Sequence, residues 1–240
     1  MKTISAATLA LVVGAVGGMT NGATAAPITY DFTGPTSGVN VDLGQSHTYT
    51  ATGGPSITGE AGTYSGFWPA NNSPFNTASG VHLAGNNRGN DEQGVGVCVT
   101  DHRSCSGDQL TGDDGEIDRD GREVVRLDIT NLLATYGNFQ INADSATGGE
   151  LLGVFTSNSA TSLGTKIADI SSGQNNVGII PTGDFLYFVS DSSSGGANVL
   201  LHSLTVTPNP VPEPASLAIV ATALFGVGLL RQRPRPVLAR

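Results

Sequence analysis

Hydrophobic and polar positions along the middle of the chain follow a period of two. In residues 123–130, Val125, Leu127 and Ile129 fall on one side of an extended backbone and Val124, Arg126 and Asp128 on the other. Successive strand side chains point to opposite faces, so this alternation predicts a strand. In residues 184–190, Phe185, Tyr187 and Val189 oppose Leu186 and Phe188. A run apolar on both sides predicts a central strand covered on both faces. Short segments of alternating or β-branched character recur at 28–33, 47–52, 94–100, 139–142, 150–156 and 198–207, each flanked by Gly, Asn, Asp, Ser or Pro. Between the two ends no helical period of comparable quality occurs, although a single turn fits residues 131–136. The pattern predicts an all-β body, an antiparallel β-sandwich of jelly-roll-like form, over residues 26–207. That length suits one domain with a substantial core.

Composition sharpens this expectation. The 240 residues include 33 glycines and 12 prolines, which argues against long helices and coiled coils. Only 13% of residues are charged, against about a quarter in an average chain, so a charged disordered polymer is excluded. The formal net charge is −9, which repels phosphate backbones and speaks against nucleic acid as a partner. Lys2 and four arginines (Arg231, Arg233, Arg235 and Arg240) sit at the ends, leaving six bases against nineteen acids from Asp31 to Asp191. The middle is an acidic body.

The ends carry different signals. Lys2 precedes an apolar run through Leu9, Leu11, Val12, Val13 and Val16, and Ala23-Thr24-Ala25 follows. A basic start, a short apolar stretch and an A-x-A site predict a secretory signal peptide over residues 1–25, cut before Ala26. At the other end, residues 208–240 run from Pro208 and Pro210 into Val211-Pro212-Glu213-Pro214, an apolar or small-residue segment over 215–230, and Arg231-Gln232-Arg233-Pro234-Arg235. The apolar segment is near the lower limit for a spanning helix of about 17–25 residues. The arginines past it hold that side in the cytoplasm. The body would then face the periplasm or exterior.

Val211, Pro212, Glu213 and Pro214, the short span and the basic tail of Arg231, Arg233 and Arg235 together resemble the PEP-CTERM protein-sorting domain of Gram-negative bacteria. The resemblance covers about the last thirty residues. It implies an exosortase as partner, the inner membrane as a station during sorting, cleavage near the Pro-Glu-Pro motif, and delivery of the body to the cell surface or an exopolysaccharide matrix. Pro212 and Pro214 suit a recognition element, because they hold the backbone extended with Glu213 between them. Gly94 to Val97, the loop from Cys98 to Cys105, residues 115–118 and residues 123–127 are also similar to the body of some PEP-CTERM proteins, which implies an extracytoplasmic β domain.

Within the body, Cys98 and Cys105 are the only cysteines. In an exported chain a close, even pair predicts a loop-closing disulfide, worth about 2–3 kcal/mol. The alternative, a metal site with His102 as third ligand, lacks the fourth protein ligand of structural zinc. Residues 113–120 hold five carboxylates, Asp113, Asp114, Glu116, Asp118 and Asp120, and one arginine. Glu116, Asp118, Asp120 and Gly121 follow the alternation and turn glycine of a calcium loop, but Leu127 stands where an EF-hand needs its bidentate glutamate. Two readings stay open: a noncanonical calcium site, or a solvated acidic loop. No cofactor other than calcium is suggested. Trp68, the single tryptophan, lies among Tyr64, Phe67, Asn71 and Asn72; it is either a sugar-stacking contact or a plug at one end of the core.

Signals of catalysis are sparse. Gly-x-Ser-x-Gly, His-Glu-x-x-His, Cys-x-x-Cys and phosphate-binding glycine loops do not occur, and the four histidines are widely spread. The expectation is a non-enzymatic structural or adhesive protein of the surface or matrix. The alternatives are a calcium-dependent carbohydrate-binding module and a polysaccharide-active enzyme that uses paired carboxylates.

Overall fold

The computed structural model describes residues 26–35, 37–87, 92–99, 105, 115–146, 149–171, 175–192, 198–210 and 224. The sorting motif, the 215–230 span apart from Leu224, the basic tail, the signal peptide, His102, Asp113 and Asp114 lie outside them. Among the described residues no helix is long and apolar enough to cross a membrane.

Residues 26–209 form one compact unit. Its strands in chain order are β1 (Ile28–Asp31), β2 (Val41–Gly44), β3 (Ser46–Tyr49), β4 (Ile57–Tyr64), β5 (Phe75–Asn76), β6 (Val81–Asn87), β7 (Gln93–Val99) and β8 (Ile117–Asp118). They continue as β9 (Glu123–Asp128), β10 (Tyr136–Asp144), β11 (Leu152–Ser157), β12 (Thr165–Ile170), β13 (Asn175–Ile179), β14 (Phe185–Ser190) and β15 (Asn198–Pro208). One helical turn, α1 (Thr130–Leu133), separates β9 from β10. The first sheet runs β13-β10-β15-β7-β6-β2, with β1 and β8 also paired to β15. The second runs β12-β11-β14-β9-β4-β3, with β5 on β4. The pairings are antiparallel throughout. The all-β, sandwich-like expectation is therefore met.

The core fills the space between the sheets. Tyr30, Leu83, Val97, Phe139 and Leu204 from the first sheet meet Ile57, Val125, Leu127, Leu186 and Phe188 from the second. On β9 and β14 the period of two places residues as the sequence predicted: Val125 and Leu127, with Leu186 and Phe188, face the core. Val124, Tyr187 and Val189 face the other way. That outer face is not solvated. It forms a second cluster with Tyr64, Phe75, Phe155 and Leu163, packed by Phe185. Arg126 enters the same face, pairs with Glu60 across β4–β9 and lies over the Phe75 and Phe185 rings. Its guanidinium thus keeps an ionic partner and π-faces where its charge would otherwise be stranded.

Strands β2, β4, β5, β6, β8, β12 and β13 were not foreseen. Strand β4 reads ITGEAGTY, weak in strand formers. Its second glycine makes sense only beside its neighbours: a Cβ at Gly62 would sit 2.5 Å from the Asn76 carbonyl oxygen. Strand β15 is the most connected element, bonded to β1, β7, β8 and β10. Because Ile28 pairs with Val206 in antiparallel register, the start of the body and the exit of its last strand lie at the same end of one sheet.

The Tyr49 hydroxyl is buried and makes no hydrogen bond among the described residues. Burial pushes its ionisation well above the ordinary 10.0. An unfolded tyrosine loses its proton near pH 10 while the folded one keeps it, so the unfolded state binds fewer protons and stability falls as pH rises above about 10. Tyr49→Phe removes an unsatisfied polar atom and is expected to raise stability by about 1 kcal/mol, a shift of about 2–4 °C in melting midpoint. It should also flatten part of the alkaline loss, as read by melting curves from pH 8 to 11.

Candidate functional site

The site is built where β4 leaves the second sheet. Residues 65–74 form a loop whose two ends are tied together: the Ser65 amide donates to the Pro74 carbonyl at 3.0 Å. Farther along, the Ala70 amide donates to Ser73 Oγ at 3.0 Å, and the Asn72 amide donates to the Gly164 carbonyl at 2.7 Å. The Lys166 amide donates to Asn71 Oδ1 at 2.9 Å. The Lys166 ammonium in turn meets both Asp169 and Asp191; burial pulls its pKa down, but these two carboxylates outweigh burial and raise it.

Between these anchors the chain presents two aromatic rings to solvent. Phe67 is 74% exposed and Trp68 41%. Their centroids are 5.7 Å apart in an edge-on arrangement. The Arg119 guanidinium lies 3.7 Å over the indole, while Arg119 itself is buried. A cation over the ring face fixes the indole plane and leaves the opposite face as the one available for stacking. Trp68 is therefore not a plug of the core.

Arg119 is held by the tight turn between β8 and β9. The Asp120 amide donates to Asp118 Oδ1 at 2.8 Å and the Gly121 amide to Asp118 Oδ2 at 3.3 Å. The Asp118 amide donates to Glu123 Oε2 at 2.8 Å, and the Arg122 amide to the Arg119 carbonyl at 2.9 Å. Arg122 takes a φ of 57°, the left-handed value such a turn needs. The turn is linked to the aromatic loop, because the Tyr64 amide donates to the Arg122 carbonyl at 2.9 Å.

The acidic segment is thus partly used to build structure. Glu116 is buried and accepts from the Ser145 hydroxyl at 3.0 Å. Asp118 caps the turn, and Asp120 is exposed. Among the described residues these three carboxylates are not gathered into a metal-binding group. The segment lies over the outer face of β7, close enough that a Cβ at Gly96 would sit 2.2 Å from the Gly115 carbonyl oxygen. Asn86 fastens it from β6, donating to that same carbonyl at 2.6 Å.

Cys98 and Cys105 form a disulfide, with Cα atoms 5.7 Å apart. Both are buried against Ala84. This is the bond expected of a close, even cysteine pair. The part played by Arg119 was not foreseen, since nothing local to it points to a tryptophan in another loop. No protein-family model, curated protein or solved structure matches the chain.

Trp68 is the single tryptophan, so its emission reports on the site alone. Arg119→Ala should shift that emission to longer wavelength as the covered face of the indole meets water, and should cost about 1 kcal/mol of stability. Fluorescence spectra and denaturant melts of the two proteins check both.

Proposed function

We propose that this chain is an exported surface or exopolysaccharide-matrix protein with a non-enzymatic, structural or adhesive role, sorted through its C-terminus by an exosortase. The observation that carries this reading is the succession of three segments in the C-terminal sequence: Val211-Pro212-Glu213-Pro214, the apolar run over 215–230, and Arg231, Arg233 and Arg235. Two features of the body agree with it. A disulfide persists in oxidising, extracytoplasmic surroundings. A body suspended from its C-terminus would be held through β15, the strand bonded to four others, so a pull there loads many hydrogen bonds at once. The jelly-roll-like form belongs to the same reading, and the chain's repeated passage between sheets from β9 to β15 supports it. The reading includes a signal peptide over 1–25 and transit of the inner membrane before cleavage near Pro214.

Mass spectrometry of the extracellular species, in a Gram-negative host that carries an exosortase, tests this directly. The mature chain should begin at Ala26 and end near the Pro-Glu-Pro motif, and Glu213→Ala should leave most of the protein in the inner membrane with its terminus at Arg240. A wild-type extracellular chain that still reaches Arg240 sinks the sorting reading.

A second reading, a carbohydrate-binding module, is favoured by one observation: the exposed Phe67 and Trp68 rings on a loop anchored at both ends. Flat sugar faces stack on such rings. Trp68→Ala should weaken binding to the producing cell's exopolysaccharide by about 2- to 10-fold, as read by calorimetry, while the chain stays folded with a melting midpoint lowered by about 2–4 °C through loss of the Arg119 contact. A calcium-dependent form of this module requires in addition that calcium raise the melting midpoint and a chelator lower it.

A further inference from the structure

On the outer face of the first sheet, the register of β6 and β7 sets His82 opposite Cys98. Asp42, on β2, faces Ala84, two residues along from His82. Both Asp42 carboxylate oxygens lie 3.1 Å from His82 Nδ1. The Cys105 sulfur, an Asp42 oxygen and a ring nitrogen of His82 all lie within 4.8 Å of one another, and Cys98 is bonded to Cys105. One carboxylate, one imidazole and the Cys105 sulfur therefore meet at one place, with the Cys98 sulfur one bond further on. None of them takes part in the aromatic site or the sorting tail.

We propose that the dithiol form of this cluster binds one zinc-type cation through Asp42, His82, Cys98 and Cys105, and that closing the disulfide expels the ion. The donor set of two thiolates, an imidazole and a carboxylate matches the preference of a tetrahedral, borderline-soft metal. The spacing agrees as well. Two oxygen or nitrogen ligands with bonds of about 2.0–2.1 Å stand about 3.3 Å apart on a tetrahedral ion, close to the 3.1 Å between Asp42 and His82. Two sulfurs on such an ion stand about 3.8 Å apart, a separation that cysteines with Cα atoms 5.7 Å apart reach by side-chain rotation. The sulfurs come from buried residues packed on Ala84, which shields the thiolate–metal bonds from water, while Asp42 and His82 are partly open and give the ion a way in.

The chemistry balances. The ion displaces one proton from each thiol, and the Nδ1 proton that His82 shares with Asp42 passes to Nε2 or to solvent, so that Nδ1 turns to the metal. On oxidation, the two thiolates give two electrons to a disulfide oxidant. The oxidant takes up two protons and leaves as two thiols, the Cys98–Cys105 bond forms, and the cation is released. A metal-loaded state and a disulfide state of the same side chains exclude each other.

Cobalt and zinc titration of the full chain, reduced with a phosphine and held in mild detergent, tests the proposal. The reduced chain should take up one cobalt ion with thiolate-to-metal absorption and tetrahedral ligand-field bands, and zinc should displace it. The disulfide form should show neither band. His82→Gln and Asp42→Asn should each weaken zinc binding by at least about 10- to 100-fold, and bound zinc should slow disulfide closure by glutathione disulfide. Circular dichroism and Trp68 emission establish that the variants are folded; if His82→Gln does not fold, Asp42→Asn, at a partly exposed side chain, carries the same test. Absence of thiolate bands in the reduced wild type overturns the proposal. So does wild-type zinc affinity in a folded His82→Gln or Asp42→Asn chain, or loss of binding on His102→Gln alone, which would move the site into the cysteine loop.

Discussion

The burial of β9 and β14 on both faces is the constraint on which the body depends. A strand in a two-layered sandwich ordinarily shows one face to the core and one to water. Here Val125, Leu127, Leu186 and Phe188 fill the space between the sheets, and Val124, Tyr187 and Val189 require a second cover on the outside. Phe75 and Leu163 supply it from beyond the edge of the central strands. The connecting segments are therefore packed parts of the fold, held by backbone hydrogen bonds such as those from Phe75 to Thr161 and from Leu163 to Ser73.

The aromatic site is a consequence of that outer cover. Because residues 65–74 must return to bring Phe75 onto Tyr187, the loop between them is anchored at both ends and its tip carries Phe67 and Trp68 outward. Arg119 reaches the indole from a different turn, whose shape is set by Asp118 and Glu123 accepting backbone amides. Carboxylates that in the sequence resemble ion ligands serve partly as caps, since an unpaired backbone amide within a tight, half-buried turn is costly.

The first sheet has its own crowded outer face. Gly96 lets the segment at Gly115 and Glu116 lie directly on β7, and the neighbouring Ala84 and Cys98 are buried beneath Cys105. Small side chains on an outward face, which in isolation look like weak strand formers, are here what allows one layer of backbone to rest on another. The same crowding brings Asp42 and His82, which are 40 positions apart, against the cysteine pair.

By itself the sequence determined the all-β class, the alternation of β9, the two-faced apolar character of β14, and the cysteine pairing. These depend on period-two alternation and on close spacing along the chain, which are local properties. Strands β2, β4, β6 and β12 were not legible, because their glycines and polar residues are explained only by what packs on them, as with Gly62 against Asn76. The turn glycine and acids at 116–121 were visible, but not that Glu116 would be spent on Ser145 and Asp118 on its own turn. Only the tertiary structure placed Arg119 over Trp68 and Asp42 beside His82, for strand register and loop return are set by long-range packing, and no short stretch of chain contains both partners.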